Sequence, residues 1–432
     1  MSGLDALLDL AELSRAEIPE QTRAIARLSL LDWLICGRAG VAEPVAGILR
    51  GMAEAEGGTA QASLFGGGRA PARIAALVNG ATSHALDYDD THFAHVGHLS
   101  VGIYPAAVAV GEASGASATD ISAAFAIGGE AAIRTGILLG RAHYERGFHQ
   151  TATAGAFGAT IAAGRLMGLS RDQMRAAISL CATRATGLRC QFGTMGKPYN
   201  AGVAAAAGVE CAQLALAGMT APSDGLLGPN GYVATHSDAP GDAITAPKGA
   251  WLLNDMKYKL HACCHGTHAM IEALTGAGVA FGDVAQIHLR TNPRWLTVCD
   301  VKAPRTGLEV KFSYAWLAGM ALRGDATGSD RTYTDAAARD PQLAEFAAHV
   351  TVTSDPALTD TQASGKVTLR NGHILRCVHD LATPIPLDAL EQSLRTKAAA
   401  LFGAPSFALC DALASMDTMN ARAIGALMGS PT

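Results

Sequence analysis

Lys366-Val-Thr-Leu-Arg-Asn-Gly-His-Ile-Leu-Arg-Cys-Val378 reads as two short alternating runs joined by Asn371-Gly372. That dipeptide accepts the positive φ that a tight two-residue turn demands, so the stretch predicts a β-hairpin. Gln286-Ile-His-Leu-Arg-Thr291 and Ala348-His-Val-Thr-Val-Thr353 alternate in the same way, and helical runs near 264–280 and 312–323 accompany them. Residues 256–384 are therefore expected to form a smaller α+β domain.

Upstream of that domain the pattern changes. From Leu4 to about Gly218 the apolar spacing is helical, with almost no strand signal. It predicts helices over 4–14, 19–37, 44–56, 71–86, 104–114, 118–140, 152–167, 170–185 and 200–218. Pro19, Pro44, Pro71 and Pro105 mark first helical turns, and Ser170 with Gln173 fits a capping box. Residues 387–402 are helical again and are expected to return to the first domain. The expected fold is mainly α: a large all-helical domain formed by both chain ends (1–255, completed by 385–432), with the α+β domain inserted. Asp224–Gly249, rich in Gly, Pro, Asp and Asn, is the expected linker.

Composition narrows the function classes. The 432 residues suffice for two domains. Hydrophobic residues make up 49% but aromatics only 5%, so the core rests on Ala, Leu, Val and Ile. The 48 glycines, with runs such as Ala204–Ala207, point to helices packed through small side chains. A net charge of −5 without a dense Lys/Arg block gives no support for a nucleic-acid partner. Nine cysteines, an odd count without a Cys-x-x-Cys pair, argue against a disulfide framework or structural zinc and favour a cytoplasmic setting. The acidic opening, Met1-Ser-Gly-Leu-Asp5, is unlike a signal peptide. Glu130, Arg134 and Glu210 interrupt the most apolar windows, so no membrane partner is expected.

Against this apolar background, His84-Ala-Leu-Asp-Tyr-Asp-Asp-Thr-His-Phe-Ala-His-Val-Gly-His98 packs four histidines and three aspartates into fifteen residues. Only 16% of the chain is charged, and such groups are rarely buried without partners or a task. Three further polar islands follow: Gly147–Thr153 around His149, Gly193–Asn200 around Lys197, and Lys257–His268 with Lys259, Cys264 and His268. The first two precede helices, whose positive ends favour anions. Lysines, histidines and helix starts together suit a small carboxylate substrate.

Each residue also has a structural reading. His149 can be a hydrogen bonder, Lys197 a solvated cation, Cys263 and Cys264 packing residues, and Asp87, Asp89 and Asp90 helix caps or ion pairs. His92-x-x-His95-x-x-His98 has metal-ligand spacing, although Gly97 favours a loop over a helix face. Gly193–Lys197 lacks the spacing and the Ser/Thr of a P-loop, and neither a dinucleotide fingerprint nor a Gly-x-Ser-x-Gly elbow is present.

Taken in order, the islands resemble the MmgE/PrpD family. The matching residues are His84–Thr91 with Gly97-His98, then Gly147-Phe-His149 with Thr151, and Thr194-Met-x-Lys-Pro198 with Ala201-Gly202. Lys259 with Cys264 and His268 follows, and then Lys311-Phe-Ser313. The resemblance implies a helical domain made of both chain ends, an inserted α+β domain and a homodimer. It also implies cofactor-free and metal-free chemistry that makes or protonates a carbanion next to a carboxylate. A dehydratase-type lyase acting on a di- or tricarboxylate such as 2-methylcitrate is the leading expectation. Epimerisation or decarboxylation of a related acid, such as iminodisuccinate or cis-aconitate, is the alternative.

By the same resemblance, His98, Lys197, Asp87 and His149 are the catalytic set, with His98 oriented by Asp87. Thr91, Lys259, Cys264 and His268 bind substrate. Leu99 departs from the family's usual proline, and Trp316, near Tyr314, stands where the decarboxylase branch has a tyrosine. Two other classes compete: a metal-dependent hydrolase using His92, His95 and His98, and a silent ligand-binding scaffold.

Overall fold

The computed structural model describes residues 3–241, 244, 249–403 and 406–429. The chain forms two compact units, Met1–Tyr258 with Ala404–Thr432, and Lys259–Gly403.

In the first unit the polar islands sit at helix ends. Helices Ala72–Ser83, Ser100–Ser114, Gln150–Leu166 and Gly196–Leu216 pack around a core of alanine and glycine. Small side chains are what bring them together. A Cβ on Gly80 would lie 2.8 Å from Gly202 Cα, so helix Ala72–Ser83 crosses Gly196–Leu216 backbone to backbone. This crossing sets the residues that follow Ser83 beside those that open the Lys197 helix. The Ser170 capping box forms as expected, with Gln173 N donating to Ser170 Oγ at 3.3 Å and Ser170 N to Gln173 Oε1 at 3.0 Å. Helix Ala118–Glu145 is long and apolar enough to cross a membrane by length and composition, yet 89% of its apolar window is buried within the protein. Its Glu130 pairs with Arg134 at 2.9 Å and accepts from Leu253 N at 2.9 Å.

The first unit is not all-helical, which corrects the sequence expectation. Strands β1 (Ala62–Ser63) and β2 (Arg69–Ala70) pair antiparallel, Ala62 opposite Ala70. Buried Glu112 explains the ribbon: its carboxylate accepts from Ser63 N at 3.0 Å and from Arg69 at 2.7 Å, satisfying a charge that the helices alone leave without a partner. Pro105 was expected to open a helix but lies inside Ser100–Ser114. The helix starts earlier because Asp90 Oδ1 accepts from Ser100 N at 3.1 Å and from Leu99 N at 3.4 Å.

The expected linker, Asp224–Gly249, is bound into the first unit where it is described. His143 Nδ1 donates to His236 O at 2.7 Å, Ser237 Oγ to Leu139 O at 2.7 Å, and Gly241 N to Leu138 O at 2.7 Å. Residues 242, 243 and 245–248 of that stretch lie outside the described residues.

The second unit carries a four-stranded mixed sheet in the order β4-β3-β5-β6. Its strands are β3 (Val284–Thr291), β4 (Val350–Ser354), β5 (Gln362–Leu369) and β6 (Ile374–Asp380). β3 runs parallel to β4 and antiparallel to β5, and β5–β6 is the hairpin around Asn371-Gly372, with Gly372 at φ 85°. Val284, Ile287, Leu289 and Thr291 of β3 are buried, while Gln286, His288 and Arg290 are exposed, the alternation of a sheet covered on one face. Helix His268–Gly276 packs on β5 and β6, and helix Tyr314–Arg323 on β4. Helix Leu387–Phe402 groups with this unit rather than with the first.

Candidate active site

The loop from His84 to Leu99 joins helices Ala72–Ser83 and Ser100–Ser114 and folds tightly. Asp87 adopts φ 52° and Val96 φ 55°. Aspartate tolerates the left-handed region, but a β-branched valine there is strained by about 1–3 kcal/mol. The carboxylates of Asp87 and Asp89 meet opposite nitrogens of the His98 ring, and each has one further basic partner.

Asp89 is the buried centre. Its Oδ1 accepts from His84 Nδ1 at 2.8 Å, and its Oδ2 lies 2.8 Å from His98 Nδ1. Both imidazoles hold its carboxyl well below the usual carboxylate range in spite of burial, so it is ionised. Asp87, at the half-exposed side, lies 3.4 Å from His98 Nε2 and 2.6 Å from Lys197 Nζ. Lys197, Asp87, His98, Asp89 and His84 thus form one continuous chain of alternating basic and acidic groups. Asp89 stands closer to His98 than Asp87 does, 2.8 Å against 3.4 Å, and it is fully buried.

Neighbouring elements complete the arrangement. Thr151 Oγ1 accepts from His98 N at 3.0 Å, fixing the loop against the start of helix Gln150–Leu166. His149 precedes that helix, and its ring lies 6.1 Å from His84 and edge-on to Phe192 at 4.9 Å. Asn200 Nδ2 donates to His149 Nδ1 at 3.2 Å, which leaves the His149 proton on Nε2. Lys197 Nζ also lies 5.2 Å from the Phe192 ring. Thr91, half-buried, exchanges backbone hydrogen bonds with Lys257 at 2.7 and 2.9 Å.

Burial dominates the electrostatics. It lowers His98 to about 4 against the pull of Asp89, and it pushes His149 well below its ordinary value, helped by His84 and Lys197. Asp90 is raised to about 7 by burial and by Asp32. It serves the helix start, and it also accepts from Ser100 Oγ.

The spacing of His92, His95 and His98 does not produce a shared ligand set. His92 Nε2 donates to Leu252 O at 2.9 Å while its Nδ1 accepts from His95 N at 3.2 Å. Buried His95 packs against Gly136 and is lowered to about 3 by burial. Donor atoms of His84, Asp87, Asp89 and His98 do fall within 4.8 Å of one another. Their carboxylates, however, already face the protein's own basic groups: Lys197 on Asp87 and two imidazoles on Asp89. This arrangement suits proton transfer.

Lys259, Cys264 and His268 belong to the second unit. Lys259 and His268 are buried, and the His268 ring stands 4.6 Å from His265 and 4.9 Å from His261. Burial, with His265, His261 and Lys259, holds His268 well below its ordinary value. Cys264 N donates to Lys311 O at 3.1 Å. Tyr314 Oη donates to Gly266 O at 2.7 Å and Trp316 Nε1 to Ala337 O at 3.2 Å, so both aromatic heads serve this unit's own backbone.

Roles for His84, Asp89, Thr151, Asn200 and Phe192 were missed. His84 and Asp89 lay within the cluster, but alternation along a loop does not reveal which acid meets which base. Asn200 lay at the end of the Lys197 island, as the fifth residue of helix Gly196–Leu216.

Comparison with known proteins places the chain. Residues 10–244 match the MmgE/PrpD N-terminal domain and residues 261–383 the MmgE/PrpD C-terminal domain, so the chain belongs to the MmgE/PrpD family. It is 29% identical over 308 residues to a cis-aconitate decarboxylase-like protein of Aspergillus oryzae, covering 67% of this chain and 64% of that protein. Human cis-aconitate decarboxylase is 29% identical over 213 residues, 48% of this chain and 44% of the enzyme. The Aspergillus terreus enzyme is 28% identical over 283 residues, 61% and 57% respectively. Each match spans less than two thirds of the relative's own length.

Proposed function

We propose that this chain is a lyase of the dehydratase type that moves a proton at a carbon next to a carboxylate of a small di- or tricarboxylate such as 2-methylcitrate. The observation that carries this reading is the continuous chain Lys197–Asp87–His98–Asp89, half-exposed at Asp87 and buried at Asp89. A base needs a free nitrogen and a partner that stabilises the proton it gains. His98 has Nδ1 against ionised Asp89, which leaves Nε2 to take the substrate proton. Lowered to about 4, it is neutral at physiological pH, and a bound polycarboxylate adds the negative charge that raises its basicity. Lys197 then protonates the departing hydroxyl as the C–H electron pair forms the double bond and the C–O bond breaks. His149, with its proton on Nε2, donates to a substrate carboxylate where charge develops.

Decarboxylation of a tricarboxylate is the second reading, favoured by the names of the relatives. It needs the same machinery, because the carbanion left by CO2 must also be protonated. The proton transfer needs no group beyond the chain's own residues. A cytoplasmic setting, supported by nine free cysteines, and a homodimer are part of the proposal. The test is NMR in heavy water with 2-methylcitrate, citrate, cis-aconitate and iminodisuccinate. Deuterium at the carbon next to a carboxylate supports the reading, and loss of water or of CO2 decides between its two forms. Neither exchange nor turnover on any of these acids would sink it.

A further inference from the structure

His84 lies outside every role assigned so far. Its side chain is fully buried, its Nδ1 donates to Asp89, and its ring stands 4.6 Å from that of His98. The Nε2 atom has no hydrogen-bond partner. A buried polar atom without a partner costs about 1–3 kcal/mol, so a residue that only filled space there would be better apolar.

We propose that His84 is a positioning residue that sets the basicity of His98 by sharing the Asp89 carboxylate. This deepens the proton-transfer reading, on which it rests. One carboxylate serves two imidazoles through its two oxygens, 2.8 Å to each. Charge spent on the His84 N–H is not available to stabilise a protonated His98. Because Nε2 of His84 has no acceptor, the residue acts as a one-proton donor through Nδ1. His98 is thereby held as a weaker base than a dedicated Asp–His pair would be, which lets bound substrate supply the missing negative charge.

The groups facing His98 fix how the proposal is read. His84, Asp87 and Asp89 come from its own loop, His149 from the start of helix Gln150–Leu166, and Lys197 from the start of helix Gly196–Leu216. Apart from the two aspartates, all of these groups are basic. Taking the His84 donor away therefore moves His98 in one direction, toward easier protonation.

The experiment compares His84→Phe with His84→Asn in the full chain, because an asparagine amide can still donate to Asp89. The titration of the His98 imidazole is followed by NMR, and the pH profile of kcat/KM alongside it. The expected result is a His98 pKa raised by roughly one unit in His84→Phe, with the acid limb of kcat/KM moving up equally, and little movement in His84→Asn. Where the phenyl variant does not fold, His84→Ala takes its place. An unchanged His98 titration in the variant lacking the donor, or equal shifts in both variants, overturns the proposal. The imidazole titration reads the coupling even where no substrate turns over, so failure of this inference is distinct from failure of the proposed activity.

Discussion

The loop His84–His98 and the segment Lys259–His268 are both short, buried and crowded with histidines, yet they solve the charge problem in opposite ways. In the loop two of the three carboxylates lie between bases: Asp89 between His84 and His98, Asp87 between His98 and Lys197. In the segment Lys259, His265 and His268 crowd together with thiols, and His261 pairs with Glu272 at 3.0 Å. Alternating charge allows a proton to move along a chain at small electrostatic cost. Clustered basic groups instead leave a site that becomes favourable when an anion arrives. On the proposed reading, the same residue types serve proton transfer in one unit and anion binding in the other.

The contrast breaks first at His98. His98→Asn keeps much of the shape and a hydrogen-bonding amide but removes the base, and general-base loss is expected to lower kcat/KM by roughly 10²–10⁴-fold. Lys197→Ala is expected to fall in the same range. If steady-state kinetics found both within about threefold of wild type, a difference under roughly 1 kcal/mol, the loop would not be the reaction centre.

The next largest effect distinguishes the two aspartates. Asp89→Asn removes the carboxylate shared by two buried imidazoles, so both activity and thermal stability fall, with kcat/KM down roughly 100-fold. Asp87→Asn, half-exposed, is expected to cost about tenfold in kcat/KM with little change in Tm. Greater damage from Asp87→Asn than from Asp89→Asn, in kinetics and in calorimetry, would return the orienting role to Asp87.

Acidification follows with a smaller effect. His98 and His95 are lowered to about 4 and 3 in the folded chain, whereas an unfolded histidine titrates at about 6.5. Between those values the unfolded state binds more protons, so stability is present above pH 6.5 and is lost as pH falls toward 4. Asp90, raised to about 7, acts in the opposite sense: its folded form keeps a proton that the unfolded form releases near 3.8, and its contribution is lost as pH rises through 7. With His149 also lowered, the histidines outweigh the single aspartic acid. A Tm lower at pH 5 than at pH 7 by a few degrees is expected, and a higher one would mean that these rings are not held neutral.

Much of this was readable in the chain before any coordinates. Seven histidines and aspartates in an apolar protein located the candidate loop, and Asn371-Gly372 located the hairpin. What escaped reading has physical causes. Two-residue strands carry no periodicity, so β1 and β2 left no trace beside the helical pattern of their neighbours. Pro105 looked like a helix start because a first turn tolerates proline, but Asp90 captured the amides of Leu99 and Ser100 and moved that start back. The pairing of Asp89 with His98 depends on the left-handed turn at Asp87, a conformation that sequence spacing does not announce.

The smallest effect probes the second region alone. Lys259 is 3% exposed, and it lowers the affinity of His268 for a proton, so its charge is felt inside that neighbourhood. Lys259→Met keeps the length of the side chain and removes the cation. An anion receiver that takes no part in proton transfer binds ground state and transition state alike, so its loss appears in KM while kcat stays near wild type. A roughly tenfold rise in KM, worth about 1.4 kcal/mol, is expected for the best polycarboxylate. The His98 pH limb should not move. A fall in kcat with KM unchanged, or a shifted limb, would show that the cationic segment shares in the proton chemistry and would erase the distinction between the two regions.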